Sequence, residues 1–232
     1  MIASEIMQAA CARIDEADPA NPISVSNTEV LSRVNEGYLL ASFLTLVFVK
    51  TVAFNFNGCW NLPRPSLTDL IVPLRIMANG VRLRPSTLSE LDAYNPAWQT
   101  TPGQPARYAA VGSNLLAITP QQATLAQITY AYSPLALQAA DPPLLPPAYH
   151  SALVEYTTYR IRLKEGAQQL ARGLGNLNVY LDAIEDLGSW VRARSAAAHY
   201  DVTPFEMALF DRSKLITDIV TRQNRAAAKA VK

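Results

Sequence analysis

Acid–base or nucleophilic chemistry near neutral pH calls for groups that change charge or attack there, and histidine is the usual one. The chain holds two histidines, His150 and His199, and two cysteines, Cys11 and Cys59. His150 follows Tyr149 at the start of an expected helix, where a surface or capping role explains it. His199 follows an alanine run near a helix end, where the dipole favours an imidazolium. Neither cysteine belongs to a CxxC pair and no Cys/His cluster has zinc spacing. Both thiols read as small core groups of a reducing compartment. No GxSxG elbow, no GxxxxGK(S/T) loop and no Ca²⁺ loop is present. Gly173-Leu174-Gly175-Asn176-Leu177-Asn178 echoes GxGxxG, but it lacks the third glycine and follows a helix, so it reads as a link. Glu155, Glu165, Asp182, Glu185 and Asp186 lie on helical stretches beside Arg160, Arg162 and Lys164. Solvated salt-bridge faces account for them better than paired catalytic carboxylates. The expectation is a non-enzyme with no catalytic, cofactor or metal residues.

Two features remain. Residues 219–232 carry Arg222, Arg225, Lys229 and Lys232 and no acid, a candidate contact for a protein partner or for DNA phosphate. A solvated tail explains them equally well. The aromatics Trp60, Tyr94, Trp98, Tyr108, Tyr130 and Tyr132 gather in one region and could stack bases. Basic residues do not interleave with them in sequence, so core or protein-contact roles fit better.

The elements that must position these residues follow from periodicity. Of 232 residues, half are apolar and 17% charged, with a net charge of +1. That excludes a disordered chain and a disulfide scaffold, and it supplies no global field for nucleic acid or lipid. The apolar stretch from Gly37 to Val49 is shorter than the ~20 residues of a spanning helix. The first residues lack a basic and apolar leader pattern, so neither membrane nor secretion is expected. Residues 3–16 read as a helix, broken by Asp18-Pro19-Ala20-Asn21-Pro22. Ser26 and Glu29 form a capping-box signal for a second helix ending near Phe43.

Residues 51–57 then alternate with a period of two, as a half-buried strand does. Ile71 to Met77, Asn79-Gly80 and Val81 to Leu83 form a hairpin signal, and Ser86 or Thr87 can cap a single helical turn. Arg107 to Val111, Gly112-Ser113-Asn114 and Leu115 to Thr119 make a second hairpin, and Leu125 to Tyr132 a further strand. Prolines at 134, 142, 143, 146 and 147 mark a stiff connector, with Leu144 and Leu145 as docking residues. Helical spacing returns over 148–171, with Tyr149, Leu153, Tyr156 and Leu163 on one face, and again over 176–196. Arg172-Gly173-Leu174-Gly175 is the expected stop and link of an antiparallel hairpin. Thr203-Pro204 opens a last helix.

The reading is α+β: a helical bundle of N-terminal helices and a C-terminal helical hairpin, with an inserted antiparallel β-rich barrel or sandwich. Residues 1–44 are the N-terminal helices, 45–133 the inserted domain and 134–147 the connector. Residues 148–200 complete the helical body, and 201–232 hold the last helix and basic tail. Helical parts with one apolar stripe each must pack together to bury it.

The order of signals resembles the head-to-tail adaptor, or connector, proteins of tailed bacteriophages from about residue 26 to 196. Its carriers are Val34-Asn35-Glu36-Gly37, Leu62-Pro63, Asn79-Gly80-Val81-Arg82-Leu83-Arg84-Pro85, Glu90-Leu91-Asp92 and Trp98. Gly103-Gln104-Pro105 with Arg107-Tyr108, Tyr130-Ala131-Tyr132-Ser133-Pro134 and Leu145-Pro146-Pro147-Ala148-Tyr149-His150 complete the series. The resemblance implies a structural virion protein without catalysis or cofactor, repeated as a 12-mer ring beneath the portal protein. Such a ring meets tail or nozzle proteins and surrounds the channel through which double-stranded DNA passes without specific binding. It places the protein in the host cytoplasm during assembly and then at the head–tail junction of the virion. The isolated chain is expected to be largely monomeric, with its ends and connector ordering on docking. Another neck or tail-completion component, a nucleic-acid-binding module using the basic end, and an enzyme built from carboxylates stay open as alternatives.

Overall fold

The computed structural model describes residues 1–15, 25–56, 58–61, 67–111, 115–164 and 169–197, with single positions at 217 and 221. The last expected helix from Thr203, His199, the Gly112-Ser113-Asn114 turn, Leu62-Pro63 and Glu165 lie outside the described residues. Among those described, Met1–Val47 and Leu135–Ser195 form a helical unit and Phe48–Pro134 a β unit.

The helical unit contains α1 (Ala3–Asp15), α2 (Asn27–Thr45), α4 (His150–Lys164) and α5 (Leu170–Ala197). Ala3, Ile6, Met7 and Ala10 bury one face of α1. Ser26 caps α2 by accepting from the Glu29 N–H at 3.3 Å. The Glu29 carboxylate instead receives Lys164 of α4, at 2.8 and 3.0 Å, which corrects the expected reciprocal box. A full cation across a helix pair is a better partner than a single amide at the cap. The contacts fix direction. Met1 lies by His150 and Arg13 by Arg162, so α1 and α4 run parallel. Glu29–Lys164, Glu36–Arg160 and Gly37–Tyr156 make α2 antiparallel to α4. Arg162–Asn176, Tyr156–Tyr180 and Tyr149–Asp186 make α5 antiparallel to α4 as well.

Two expectations for this unit need correction. The chain does not turn at Arg172–Gly175: α4 ends at Lys164, and Gly173 and Gly175 lie inside α5. A glycine costs a helix about 1 kcal/mol, which packing overrides. A Cβ at Gly173 would sit 3.6 Å from Tyr159 and Arg162, an ordinary contact, so the helix runs through this glycine without needing its missing side chain. Nor is α4 a one-faced helix. Residues 152 to 159 are all buried, Thr157 and Thr158 completely, because α1, α2 and α5 all pack against it.

The β unit holds two four-stranded sheets, ordered β1-β8-β3-β4 and β2-β7-β6-β5. The first joins β1 (Val49–Phe56), β3 (Leu70–Ala78), β4 (Val81–Arg82) and β8 (Thr124–Tyr132). The second joins β2 (Trp60–Asn61), β5 (Arg84–Pro85), β6 (Arg107–Val111) and β7 (Leu115–Thr119). Phe54, Phe56, Ile76, Ile128 and Tyr130 of the first share one core with Tyr108, Leu116 and Ile118 of the second. The arrangement is a sandwich with open edges and no closed barrel among the described residues. It is also not wholly antiparallel: β5 and β6 pair in parallel. Thr87 and Glu90 form a reciprocal capping box that starts α3 (Leu88–Tyr94), and a helix after a strand returns the chain as a crossover.

The hairpin tip is as the residue types require. Asn79 and Gly80 have φ of +50° and +78°, the two positive angles of a tight hairpin turn. A Cβ at Gly80 would meet nothing within 4 Å, so the constraint is purely on the backbone. Replacing Gly80 with Val is expected to lower stability by about 1–2 kcal/mol through strain at positive φ, read as a lower Tm. Unchanged melting rules out the turn.

Gly37 answers to a different constraint. A Cβ there would lie 2.7 and 2.9 Å from ring carbons of Tyr156 and 3.2 Å from its Cβ, atoms that cannot swing away. Gly37→Ala is expected to destabilise by about 1–3 kcal/mol in urea unfolding, although alanine is the better helix former.

Candidate functional site

The residues with chemical potential are spent on structure. His150 is 5% exposed and not on the surface, correcting the sequence expectation. Its Nε2 is 2.8 Å from the Leu145 carbonyl and its Nδ1 is 3.1 Å from the Met1 amine. With the amine donating to Nδ1, Nε2–H donates to the carbonyl. Glu155 is likewise buried at 9% exposure instead of lying on a solvated face. It pairs with Arg13 and accepts from Asn176 at 2.6 Å, as a buried carboxylate must. Arg160 and Lys164 reach across to Glu36 and Glu29 of α2. Among the described residues, no three His, Cys, Asp or Glu side chains converge as a metal site requires. Arg222, Arg225, Lys229 and Lys232 lie outside the described residues.

The connector is hydrogen-bonded to the helical unit within the single chain. The Asn35 side chain donates to the Leu137 carbonyl at 3.1 Å and accepts from its N–H at 2.7 Å. The Tyr38 hydroxyl accepts from the Leu144 N–H at 3.1 Å. Ala3 and Ser4 donate to the carbonyls of Asp141 and Ala139 at 2.9 and 2.8 Å. The two expected docking leucines divide: Leu145 is buried, whereas Leu144 is 63% exposed. Sequence reasoning had Asn35 only as part of the family motif and missed its hold on the connector. A lone asparagine on a helix carries no signal for a partner a hundred residues away.

In the β unit, Lys50, Asp69 and Tyr130 form one cluster. Lys50 pairs with Asp69, and the Tyr130 hydroxyl donates to the other carboxylate oxygen at 3.0 Å. The Lys50 ammonium also lies 4.8 Å from the Tyr132 ring centroid and 5.4 Å from that of Tyr130. Ser133 N–H donates to the Asp69 carbonyl at 2.8 Å, tying the end of β8 to the loop before β3. The aromatics divide by burial. Trp98, Tyr108 and Tyr130 are core residues, and Trp98 donates its indole N–H to Asp92 at 2.7 Å. Trp60 and Tyr94 are 39% and 67% exposed. Basic residues meet aromatics in space although they do not in sequence: Arg107 stacks on Tyr94 at 4.2 Å and Arg194 on Trp190 at 4.7 Å.

The cluster gives the β unit a pH dependence. Burial works against the charged form of Asp69, but hydrogen bonds from Lys50 and Tyr130 outweigh it and hold the carboxyl below its ordinary value. The bond to Asp69 raises the Lys50 ammonium above its own, against desolvation. A lowered carboxyl stabilises the fold above its unfolded pKa near 4, and this contribution is lost as pH falls further. A raised ammonium stabilises fully below its unfolded pKa near 10.5, and that part is lost at higher pH. The urea midpoint is therefore expected to drop on both sides of a plateau between about pH 5 and 10. Asp69→Asn should flatten the acid limb; an acid limb identical to that of wild type contradicts the assignment.

The motif series of the sequence maps onto these staples. Asn35 holds the connector and Gly37 admits Tyr156. Asn79-Gly80 makes the hairpin tip, Glu90 caps α3, Asp92 holds Trp98 and Tyr130 holds Asp69. None of the curated proteins compared with the chain matches it. The family model of the SU10 adaptor proteins matches residues 1–204 and leaves out residues 205–232. The chain belongs to the SU10 adaptor protein family.

Proposed function

We propose that the protein is a structural virion component, a head-to-tail adaptor that forms a ring beneath the portal of a tailed bacteriophage. The observation that carries this reading is the adaptor family's match over residues 1–204. The ring, of twelve copies, joins capsid to tail or nozzle proteins and surrounds the channel through which double-stranded DNA passes without specific binding. The protein assembles in the host cytoplasm and ends at the head–tail junction. Its work is assembly and not catalysis. In support, His150 and Glu155 are committed to buried structural bonds, as a scaffold uses them.

The basic end belongs to the same reading. Arg222, Arg225, Lys229 and Lys232 follow the family-matched region and have no acid among them, so they suit an acidic patch on the portal. Averaged electron images of the protein bound to its portal test the ring directly: repeated copies around the portal axis are expected, and a single copy would overturn it. Deleting residues 219–232 should leave the fold intact and weaken portal attachment, most visibly at low salt. Attachment at wild-type affinity in both low and high salt removes the tail from this role. Loss of folding would assign it to the core instead.

A further inference from the structure

The β unit ends in a charged corner that its own acids do not neutralise. Arg84 and Arg107 are direct partners across the parallel β5–β6 pair, so their side chains leave the same face of the sheet about 5 Å apart. Like charges placed so are destabilising unless an anion comes between them. The acids between residues 48 and 134 are Asp69, Glu90 and Asp92, and each is engaged: with Lys50, with the Thr87 N–H and with Trp98. Neither Arg84 nor Arg107 has a carboxylate partner among the described residues. Tyr94, 67% exposed, stacks on Arg107 and holds its guanidinium in place. A fixed arginine beside an open tyrosine is the composition of an interface hot spot.

The helical unit carries the matching surface. Val179, Asp182, Asp186 and Trp190 follow one another along α5 at spacings of three and four, and all are exposed. Val179 and Trp190 are 52% and 42% open, large apolar groups that a purely solvent-facing stripe does not need. Asp186 accepts from the Tyr149 hydroxyl at 3.0 Å, and Arg194 lies over Trp190, so both are positioned. Asp182 and Asp186 stand one turn apart, about 5–6 Å between Cβ atoms, which matches the spacing of two arginines on neighbouring strands.

We propose that adjacent copies of this chain meet through these surfaces, the Arg84–Arg107–Tyr94 corner of one against the Val179–Asp182–Asp186–Trp190 stripe of α5 in the next. Within a single chain Arg84, Tyr94 and the α5 stripe are exposed and Arg107 is half-buried, and each copy carries one of each surface. Such a contact is head-to-tail, and repeats of it close into a ring when the rotation allows. The inference rests on the proposed ring and names its lateral contact.

Sedimentation velocity on the full chain, at about 1 mM protein and low salt, tests it. Wild type, largely monomeric when dilute, is expected to self-associate at this concentration and to lose association as salt is raised, because the contact is between charges. Arg84→Glu with Arg107→Glu should weaken self-association about tenfold or more, and Asp182→Arg with Asp186→Arg should do the same. An equimolar mixture of the two reversed variants should associate again, since each presents what the other now lacks. Unchanged melting establishes that each variant folds; if a reversal does not fold, Arg84→Gln with Arg107→Gln is read in its place. A monomeric wild type, reversed variants that associate like wild type, or a mixture that stays apart overturns the contact. The ring itself is judged by the portal images: a ring there alongside a failed charge swap retires this contact only.

Discussion

Within the helical unit, everything is arranged around the approach of α2 to the two tyrosines that face Gly37. Tyr156 of α4 lies on the bare Cα, and the Tyr180 hydroxyl of α5 donates to the Gly37 carbonyl at 2.9 Å. The two rings are 4.9 Å apart, so a single glycine brings three helices together. Burial pushes both phenols well above their ordinary value, which leaves each a neutral hydroxyl. With α2 held there, Glu29 and Glu36 come within reach of Lys164 and Arg160, and Asn35 within reach of the connector. The ion pairs follow from the packing and are not its cause, since partly exposed pairs contribute little on their own.

The β unit solves a different problem. Its sheets are open, so the loop before β3 and the end of β8 need fixing. Asp69 does this through its side chain, with Lys50 and Tyr130, and through its carbonyl, with Ser133. The same cluster lies beside the junction with the connector, where Ser133-Pro134 leaves the sheet. Thr87 and Glu90 decide the other sheet, because their capping box turns what would be a meander into a crossover. Arg84 and Arg107 become neighbours only through that crossover.

Much of the fold was legible along the chain because the signals were local. Asn79-Gly80, Thr87 with Glu90, and the alternation in residues 51–56 each act within a few residues. The strands Arg107–Val111 and Leu115–Thr119 fall where their pattern puts them. The helix end at Lys164 did not, because Gly173 and Gly175 look like a stop yet lie inside α5. His150 and Glu155 were misread for a related reason. Polar residues on an apparently amphipathic helix suggest solvent, but α4 is enclosed on every side and their partners, Met1, Leu145, Arg13 and Asn176, come from elsewhere.

The sequence by itself determined where most helices and strands lie, where the hairpin turns, and that no motif for acid–base or metal chemistry is spelled out. The order of its short motifs also pointed to the adaptor family, although Asn35, Gly37 and Tyr130 meet partners far away in the chain. Only the tertiary structure decided which polar groups are buried, how the four helices run against one another, and that β5 and β6 lie parallel. It alone set Arg107 on Tyr94 and Asn35 on the connector. The physical reason is range: capping, turn geometry and periodicity act over a few residues, whereas burial and pairing depend on partners that only folding brings together.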